Sequence, residues 1–163
     1  GDGYDILRVK ISLVSDSTYN TFLSFNNVQI GQTNVEDTLQ LNNTGNFFFT
    51  EINITPYTLV GNNTVDFIHL NDTKRSGTNS NFTVNSTAST SVGIGNVLNN
   101  NSNVTLTDDT NAGGPVNLTI SSLTNAGATT NHATRTIYFY LDVPSGITVQ
   151  NYNTTSNWIV SAR

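Results

Sequence analysis

The chain has 163 residues and a formal net charge of −5, with 11 Asp and Glu against 6 Lys and Arg residues. The basic residues are scattered along the sequence, so we expect no clustered basic surface and no nucleic-acid partner. It contains no cysteine and no methionine, which excludes disulfides, thiolate chemistry and Cys-based metal sites and favours a processed mature chain. Asn, Thr and Ser together supply about two residues in five, and this uncharged polarity is more typical of an extracellular surface than of a cytosolic enzyme.

The first predicted element is a strand over residues 4–14. Its apolar side chains alternate with polar ones, which is the period-two pattern of a half-buried strand. The apolar members are Leu7, Val9, Ile11 and Leu13, and the polar members between them are Arg8, Lys10 and Ser12. Polar segments flank this strand on both sides. We therefore expect a strand that either closes its own domain or leaves it to complete a neighbouring copy.

Short runs rich in β-branched and aromatic residues recur along the rest of the chain, separated by clusters of Asn, Gly, Thr and Ser. They predict strands over residues 21–25, 35–41, 46–55, 57–60, 65–70, 81–85, 91–98, 103–107, 116–123, 135–143, 146–149 and 157–161. No window carries the three-to-four spacing of an amphipathic helix. Residues 108–115 are typical of a turn. The pattern predicts one all-β domain of the sandwich, jelly-roll or barrel kind.

The C-terminal region carries the second strong alternation. Its apolar residues are Ile137, Phe139, Leu141 and Val143, and they alternate with Tyr138, Tyr140 and Asp142. Both ends of the chain therefore have the pattern of well-formed strands, which head-to-tail strand exchange requires and which ordinary sandwiches also have. From alternation alone, we predict that the four apolar residues of this second strand line an acceptor groove for the first strand.

Glycosylation is the chemistry that the sequence supports best. The Asn-x-Ser/Thr motif occurs ten times, against roughly six or seven occurrences expected by chance from the composition. Residues Asn62, Asn71 and Asn100 lie in predicted turns and are better candidates than Asn53 and Asn117, which lie in predicted strands. The complete set is Asn42, Asn53, Asn62, Asn71, Asn81, Asn85, Asn100, Asn103, Asn117 and Asn153.

Catalysis and metal binding have little support in the sequence. The two histidines, His69 and His132, belong to neither a zinc-binding helix motif nor a nucleophile elbow. Asp108, Asp109 and Asn111 resemble part of a calcium loop, but the closing Glu of such a loop is missing. We therefore expect no enzyme activity, no cofactor and no metal site.

Aromatic residues near the C-terminal strands leave a binding function open. Trp158, Tyr152, Tyr138 and Tyr140 could stack on the face of a sugar ring, although aromatic side chains in a sheet more often serve core packing. No apolar run approaches the roughly 20 residues of a membrane span, so we expect none in the mature chain. A carbohydrate-binding surface module thus stands beside strand exchange as an alternative.

Two passages resemble secreted β-rich proteins of prokaryotic surfaces. They are Leu39–Phe47, which contains Asn-Thr-Gly-Asn, and Tyr138–Ile147, which contains Leu-x-Val-Pro-x-Gly and is followed by Tyr152–Thr155. Both are similar to stretches of archaeal extracellular domains, including the subunits of archaeal bundling pili and their bacterial TasA/camelysin-like relatives. The chain lacks the long apolar N-terminal helix of archaeal type IV pilins and archaellins.

The resemblance implies a secreted, jelly-roll-like β-sandwich that polymerises by donating its N-terminal strand to a groove in the next subunit. Residues 1–14 would then be the donor strand and residues 15–163 the sandwich domain. We accordingly expect a non-enzymatic, glycosylated subunit of an extracellular filament, a pilus with roles in adhesion and biofilm, whose partners are other copies of itself. The alternative is a closed β-sandwich module of a surface-layer or adhesin protein, with carbohydrate binding as one function open to it.

Overall fold

In a computed structural model of the protein, the structure describes residues 6–15, 18, 20–43, 51–85, 96–107, 110–111, 114–115 and 133–162. The backbone of these residues forms strands and turns without any helix, which confirms the predicted all-β class. Among them there is accordingly no helix with the length and apolar character to cross a membrane. The strands are β1 (Ile6–Ser15), β2 (Phe22–Gln29), β3 (Val35–Asn43), β4 (Glu51–Thr55), β5 (Leu59–Gly61), β6 (Phe67–Leu70), β7 (Asn79–Ser80), β8 (Phe82–Asn85), β9 (Asn96–Val97), β10 (Val104–Thr107), β11 (Thr110–Asn111), β12 (Gly114–Pro115), β13 (Ala133–Leu141), β14 (Tyr152–Thr154) and β15 (Trp158–Ala162).

The larger sheet has nine strands in the order β10-β4-β15-β1-β14-β5-β6-β7, with β2 paired to β1 outside this path. Two short consecutive segments, β14 and β15, lie along one edge of β1. On their far side β14 pairs with β5 and β15 pairs with β4, both antiparallel. The C-terminal segments therefore connect the first strand to the rest of the sheet.

The smaller sheet has four strands in the order β3-β13-β8-β9. Its central strand, β13, pairs antiparallel with β3 over nine residues, from Ala133 opposite Asn43 to Leu141 opposite Val35. On its other edge β13 pairs with β8, which in turn pairs with β9. The predicted alternation places Ile137, Phe139 and Leu141 on the buried face, each with 0% of its surface exposed.

Aromatic rings from the two sheets meet in the core. Phe82 of the smaller sheet lies edge-to-face against Phe25 of the larger sheet, with ring centroids 5.8 Å apart. Trp158 of the larger sheet contacts Phe82 at 5.5 Å and Phe139 at 6.4 Å. Because both sheets bury side chains in one cluster, the fold is a β-sandwich, as predicted.

One predicted strand is wrong, and several short strands were not predicted, namely β7, β11, β12 and β14. Residues 146–149 form a turn instead of a strand, and the next strand, β14, begins at Tyr152. The amide of Gly146 donates to the carbonyl of Gly77 at 2.7 Å, and a Cβ on Gly146 would lie 2.7 Å from that same oxygen. This backbone contact between two loops holds the segment in a turn, although its β-branched residues favour a strand.

In the range predicted as a turn, residues 108–115, the described residues form two short paired strands. Thr110 pairs with Pro115 and Asn111 with Gly114, which form the two-stranded sheet β11-β12. The strand predicted over residues 116–123 lies outside the described residues, as do Asp108, Asp109 and His132.

Candidate functional site

The first strand is the element on which the sequence-based function depends, and it lies inside the larger sheet of its own chain. On one edge β1 pairs antiparallel with β2, from Ile6 opposite Gln29 to Ser12 opposite Phe22. On the other edge it runs parallel to β14 and β15, with Val9 opposite Tyr152 and Leu13 opposite Trp158. Both edges of β1 therefore have hydrogen-bonding partners within the single chain.

The inward face of β1 is fully inserted into the core. Leu7, Val9, Ile11 and Leu13 expose 2, 0, 0 and 4% of their surface, which confirms the burial expected from their alternation. All four belong to the single buried cluster between the sheets. The outward face is different, since Val14 exposes 56% and Ile6 exposes 44%. Removal of β1 would leave an apolar groove with β2 on one side and the C-terminal segments on the other.

The predicted acceptor residues lie across the sandwich from that groove. Ile137, Phe139 and Leu141 belong to β13 of the smaller sheet, and Val143 follows that strand. They share the buried cluster with the side chains of β1 but are not in strands that pair with it. The backbone edges of the groove come instead from β2, β14 and β15. Alternation finds which residues face the core, and it carries no information about which strands are neighbours.

The connection between β1 and β2 is short, and the two strands it joins are antiparallel neighbours. The amide of Leu13 donates to the carbonyl of Thr21 at 2.8 Å. Within the connection, the Thr18 hydroxyl donates to the carbonyl of Asn20 at 2.7 Å, and Thr18 forms an isolated bridge with Leu41 of β3. This connection is the point at which the chain would have to open if β1 left its own sheet.

The C-terminal segments keep their own partners independently of β1. Tyr152 lies opposite Gly61, and Val160 lies opposite Ile54. The indole Nε1 of Trp158 also donates to the carbonyl of Tyr57 at 2.8 Å. These bonds do not involve β1, so the edge that faces β1 is supported from its far side.

Three of the four aromatic residues considered for sugar binding are buried. Trp158 and Tyr152 expose 0% of their surface and Tyr140 exposes 1%, whereas Tyr138 is half-buried. The Tyr152 hydroxyl donates to the carbonyl of Thr148 at 2.8 Å, and the Tyr140 hydroxyl donates to Glu36 at 2.9 Å. Burial raises the pKa of Tyr152. Trp158, Tyr152 and Tyr140 therefore serve the core, and sugar stacking on them is excluded by burial.

The predicted glycosylation sites fall into three groups. Asn62, Asn81, Asn100 and Asn103 are exposed, Asn53, Asn71 and Asn153 are half-buried, and Asn85 exposes 3% of its surface. Asn42 lies in β3, and Asn117 lies outside the described residues. An N-linked glycan needs a solvent-accessible amide nitrogen, so the exposed group contains the better candidates.

Asn71 is a poor candidate although it lies in a predicted turn. Its Nδ2 donates to the carbonyls of Phe82 and Leu98, both at 2.9 Å, and its φ is +47°. Phe82 belongs to β8 and Leu98 follows β9, both in the smaller sheet. Asn71 directly follows β6 of the larger sheet. The side chain thus connects the two sheets through the nitrogen that a glycan would occupy. The sequence placed this residue in a turn but gave no sign of this structural role.

A groove of about 840 Å³ opens at the end of the sandwich near β6. Two aromatic side chains, Tyr57 and Phe67, line it together with His69, and the Phe67 and His69 ring centroids are 5.9 Å apart. The His69 ring nitrogen Nδ1 lies 3.0 Å from the Thr78 hydroxyl. Burial and the charge of Arg75 lower the pKa of His69. Sequence reasoning assigned no function to Tyr57 or Phe67, because the lining residues come from four segments that are distant in the sequence.

Neither a scan of the sequence against protein-family models nor a search of curated proteins finds a match. The resemblance carried by Leu39–Phe47 and Tyr138–Ile147 therefore stays a prediction. Functional proposals for this chain depend on the geometry of its own residues.

Proposed function

We propose that the protein is a structural subunit of an extracellular filament, a pilus serving adhesion or biofilm, whose copies join by exchange of β1. The observation that carries the proposal is the insertion of β1, with four buried apolar side chains, into the centre of the core. In this proposal the structure of the single chain is the closed form, and the filament contains the same contacts made between copies. The jelly-roll topology implied by the resemblance stays a prediction.

The pairing of β1 favours its exchange. Its parallel neighbours, β14 and β15, come from the opposite end of the described chain and have no short turn connecting them to it. The antiparallel pairs of these segments with β5 and β4 do not depend on β1. β2 loses its ladder when β1 leaves, but its Ser24 amide is still bonded to the Asp37 carboxylate of β3 at 2.7 Å. An acceptor groove would therefore keep supporting contacts on both sides.

The energies are large enough to hold a strand from a neighbouring copy in a groove from which β1 has left, and they are the same in the closed chain. Burial of four apolar side chains contributes ~6 to 12 kcal/mol at ~1.5 to 3 kcal/mol each, and each ladder hydrogen bond adds ~0.5 to 1.5 kcal/mol. Association costs ~4 to 15 kcal/mol. An exchanged strand makes the same contacts as the closed one, so the two forms differ mainly in association entropy and in the conformation of residues 16–21. When each copy both donates and accepts, the contact is head-to-tail and extends into a filament.

A cysteine pair across β1 and β15 tests strand exchange directly. Val14 lies opposite Ile159, and both side chains are exposed on the outer face, at 56% and 47%. The natural chain has no cysteine, so the double variant Val14→Cys/Ile159→Cys contains one thiol pair. In exchanged filaments we expect oxidation to connect neighbouring copies, which gives a ladder on a denaturing, non-reducing gel.

A second pair serves as the matched control. Gln40 lies opposite Thr136 in the β3–β13 ladder, which strand exchange leaves within one copy. The variant Gln40→Cys/Thr136→Cys is therefore expected to run as a single monomer band in the same filaments. A monomer band from the Val14/Ile159 variant in assembled filaments would overturn strand exchange, as would filaments formed by a chain that lacks residues 1–14.

A closed β-sandwich module of a surface-layer or adhesin protein is the second candidate. The observation that favours it is that β1 is paired on both edges within the single chain. Negative-stain electron microscopy of the native protein, beside an unboiled gel lane, separates the candidates. Uniform single particles that migrate as one band support the closed module, whereas filaments with a heat-resistant ladder support exchange.

A further inference from the structure

We propose that the groove near β6 seats the first sugars of an N-linked glycan attached to Asn100 of the same chain. Asn100 belongs to the sequon Asn100-Asn101-Ser102, and it is itself one of the residues that line the groove. The inference rests on the extracellular location in the proposed function, since attachment requires passage through a glycosylating compartment. It does not depend on the exchange of β1.

The backbone around Asn100 is fixed against the mouth of the groove. The amide of Asn101 donates to the carbonyl of Pro56 at 2.8 Å, and Asn101 has a φ of +54°. Asn100 itself accepts a hydrogen bond at its side-chain Oδ1 from the amide of Thr58, at 2.9 Å. This bond uses the oxygen of the side-chain amide. The orientation of Asn100 is therefore set without the nitrogen that a glycan would occupy.

The groove offers the chemistry that sugar rings require. Pyranoses present apolar C–H faces that stack on aromatic rings, and Tyr57 and Phe67 supply such rings along the lining. The edges of a sugar carry hydroxyl groups, and the lining provides partners for them in His69, Asp72 and Arg75. Asp72 and Arg75 form an exposed pair at 3.8 Å, so both groups are accessible to a hydroxyl.

The volume and shape also suit a tethered saccharide. A groove of about 840 Å³ has the size of a small-molecule site. Attachment at the rim makes binding intramolecular, so weak contacts suffice to hold the sugars in place. Asn62, by contrast, is exposed and is not among the lining residues. A glycan on Asn62 therefore serves as an internal reference for a freely solvated one.

The test begins with glycopeptide mass spectrometry of the protein made by its natural host. Glycan at Asn100 is required by the proposal, and an unmodified Asn100 in the mature protein would overturn it. The folded glycoprotein is then treated with periodate, which cleaves any sugar residue that retains two adjacent free hydroxyl groups. We expect the glycan on Asn100 to be oxidised about tenfold more slowly than the glycan on Asn62, which corresponds to about 1.4 kcal/mol.

Two variants separate seating in the groove from mere attachment. Phe67→Ala removes a stacking ring but leaves the sequon intact, so we expect full occupancy at Asn100 with loss of the protection from periodate. Ser102→Ala removes the sequon and keeps Asn100 and its bond from Thr58. We expect it to lower the melting temperature of the glycoprotein, whereas Asn62→Gln does not.

Three further results would contradict the proposal. Equal oxidation rates at Asn100 and Asn62 in the unaltered protein would mean that the sugars lie in solvent. If the Asn100 glycan of a correctly folded Phe67→Ala protein is still oxidised slowly by periodate, the groove is not what protects it. Binding of the released glycan to protein whose Asn100 is naturally unmodified would assign the groove to saccharides from another source. Each result leaves the cysteine-pair test of strand exchange unaffected.

Discussion

β1 and β13 are the central strands of the two sheets, and the sequence indicates both by the same alternation. Their inward side chains are equally buried, since Ile11 and Ile137 each expose 0% of their surface. Their neighbours differ: β13 has antiparallel strands on both edges, whereas β1 has β2 on one edge and two short parallel segments on the other. Two strands with equally buried side chains can therefore differ in how they pair with their neighbours. Alternation reports which face of a strand is covered, but not which strand, or which copy of the chain, lies beside it.

Removal of β1 gives the largest expected effect and tests whether the strand is separable. A chain that begins at residue 16 loses four buried side chains, worth ~6 to 12 kcal/mol, which is comparable to the ~5 to 15 kcal/mol stability of a whole domain. We expect it to lose cooperative unfolding. A peptide of residues 4–15 should restore the fold, and the single tryptophan, Trp158 opposite Leu13, reports this by its fluorescence.

Controls for this experiment come from both strands. The same peptide with Ile11→Asp should not restore the fold, because it would bury an unpaired charge. A β13 peptide should not rescue an Ile137→Asp chain, because the altered β13 is still part of that chain and occupies the site between β3 and β8. A shortened chain that folds alone, with Trp158 already buried, would show that β1 contributes little to the core.

Matched substitutions compare the packing of the two strands. Ile11→Ala and Ile137→Ala remove the same atoms from sites of equal burial. We expect each to lower the free energy of unfolding by ~2 to 5 kcal/mol in chemical denaturation. Similar losses would mean that β1 is packed as firmly as β13 in the closed chain. A loss below ~1 kcal/mol for Ile11→Ala alone would mean that the groove relaxes around β1.

The junction between the two sheets is the next test. Asn71→Asp keeps the shape of the side chain but replaces the nitrogen that donates to the carbonyls of Phe82 and Leu98. We expect a loss of ~2 to 3 kcal/mol in stability, because two acceptors lose their donor beside a carboxylate. Asn62→Asp in an exposed turn is the control, with an expected change within ~0.5 kcal/mol. Equal small effects would mean that Asn71 does not connect the sheets.

The sequence predicted the elements of the fold better than their arrangement. Alternation and β-branched composition correctly placed β1, β3 and β13 and the buried faces of β1 and β13, because these features depend on local patterns. The same reasoning failed at residues 146–149, where contact with Gly77 decides the backbone conformation. It also missed β14, whose three residues, Tyr152–Thr154, carry too short a pattern.

The candidate sites divide in the same way. The inward residues of β1 follow from their spacing, but the strands that border their groove come from opposite ends of the described chain. The sequons are visible as motifs, yet a motif does not distinguish Asn71, whose nitrogen connects the sheets, from exposed Asn100. Tyr57, Phe67 and Asn100 are distant in the sequence and line the same groove only in the folded chain. No local sequence pattern predicts that they are neighbours.

The smallest expected effect is the pH dependence of stability that comes from His69. This residue lies in β6 of the larger sheet, away from both central strands. Burial lowers the pKa of His69 in the folded chain, with a further contribution from Arg75 and opposition from Asp72. The folded state therefore binds fewer protons than the unfolded state near the ordinary pKa of histidine, about 6.5. Stability is fully present above that value and falls as the pH decreases through it.

The expected size of this effect is a decrease in melting temperature on the order of one degree from about pH 8 to about pH 5.5. His69→Gln should abolish the decrease, because glutamine does not titrate. Asp66 does not interfere, since hydrogen bonding from Asn63 lowers the pKa of Asp66 and places its titration below this range. A pH dependence that persists in His69→Gln would assign the proton uptake elsewhere. Its disappearance would identify the β6 edge, and neither central strand, as the acid-sensitive part of the sandwich.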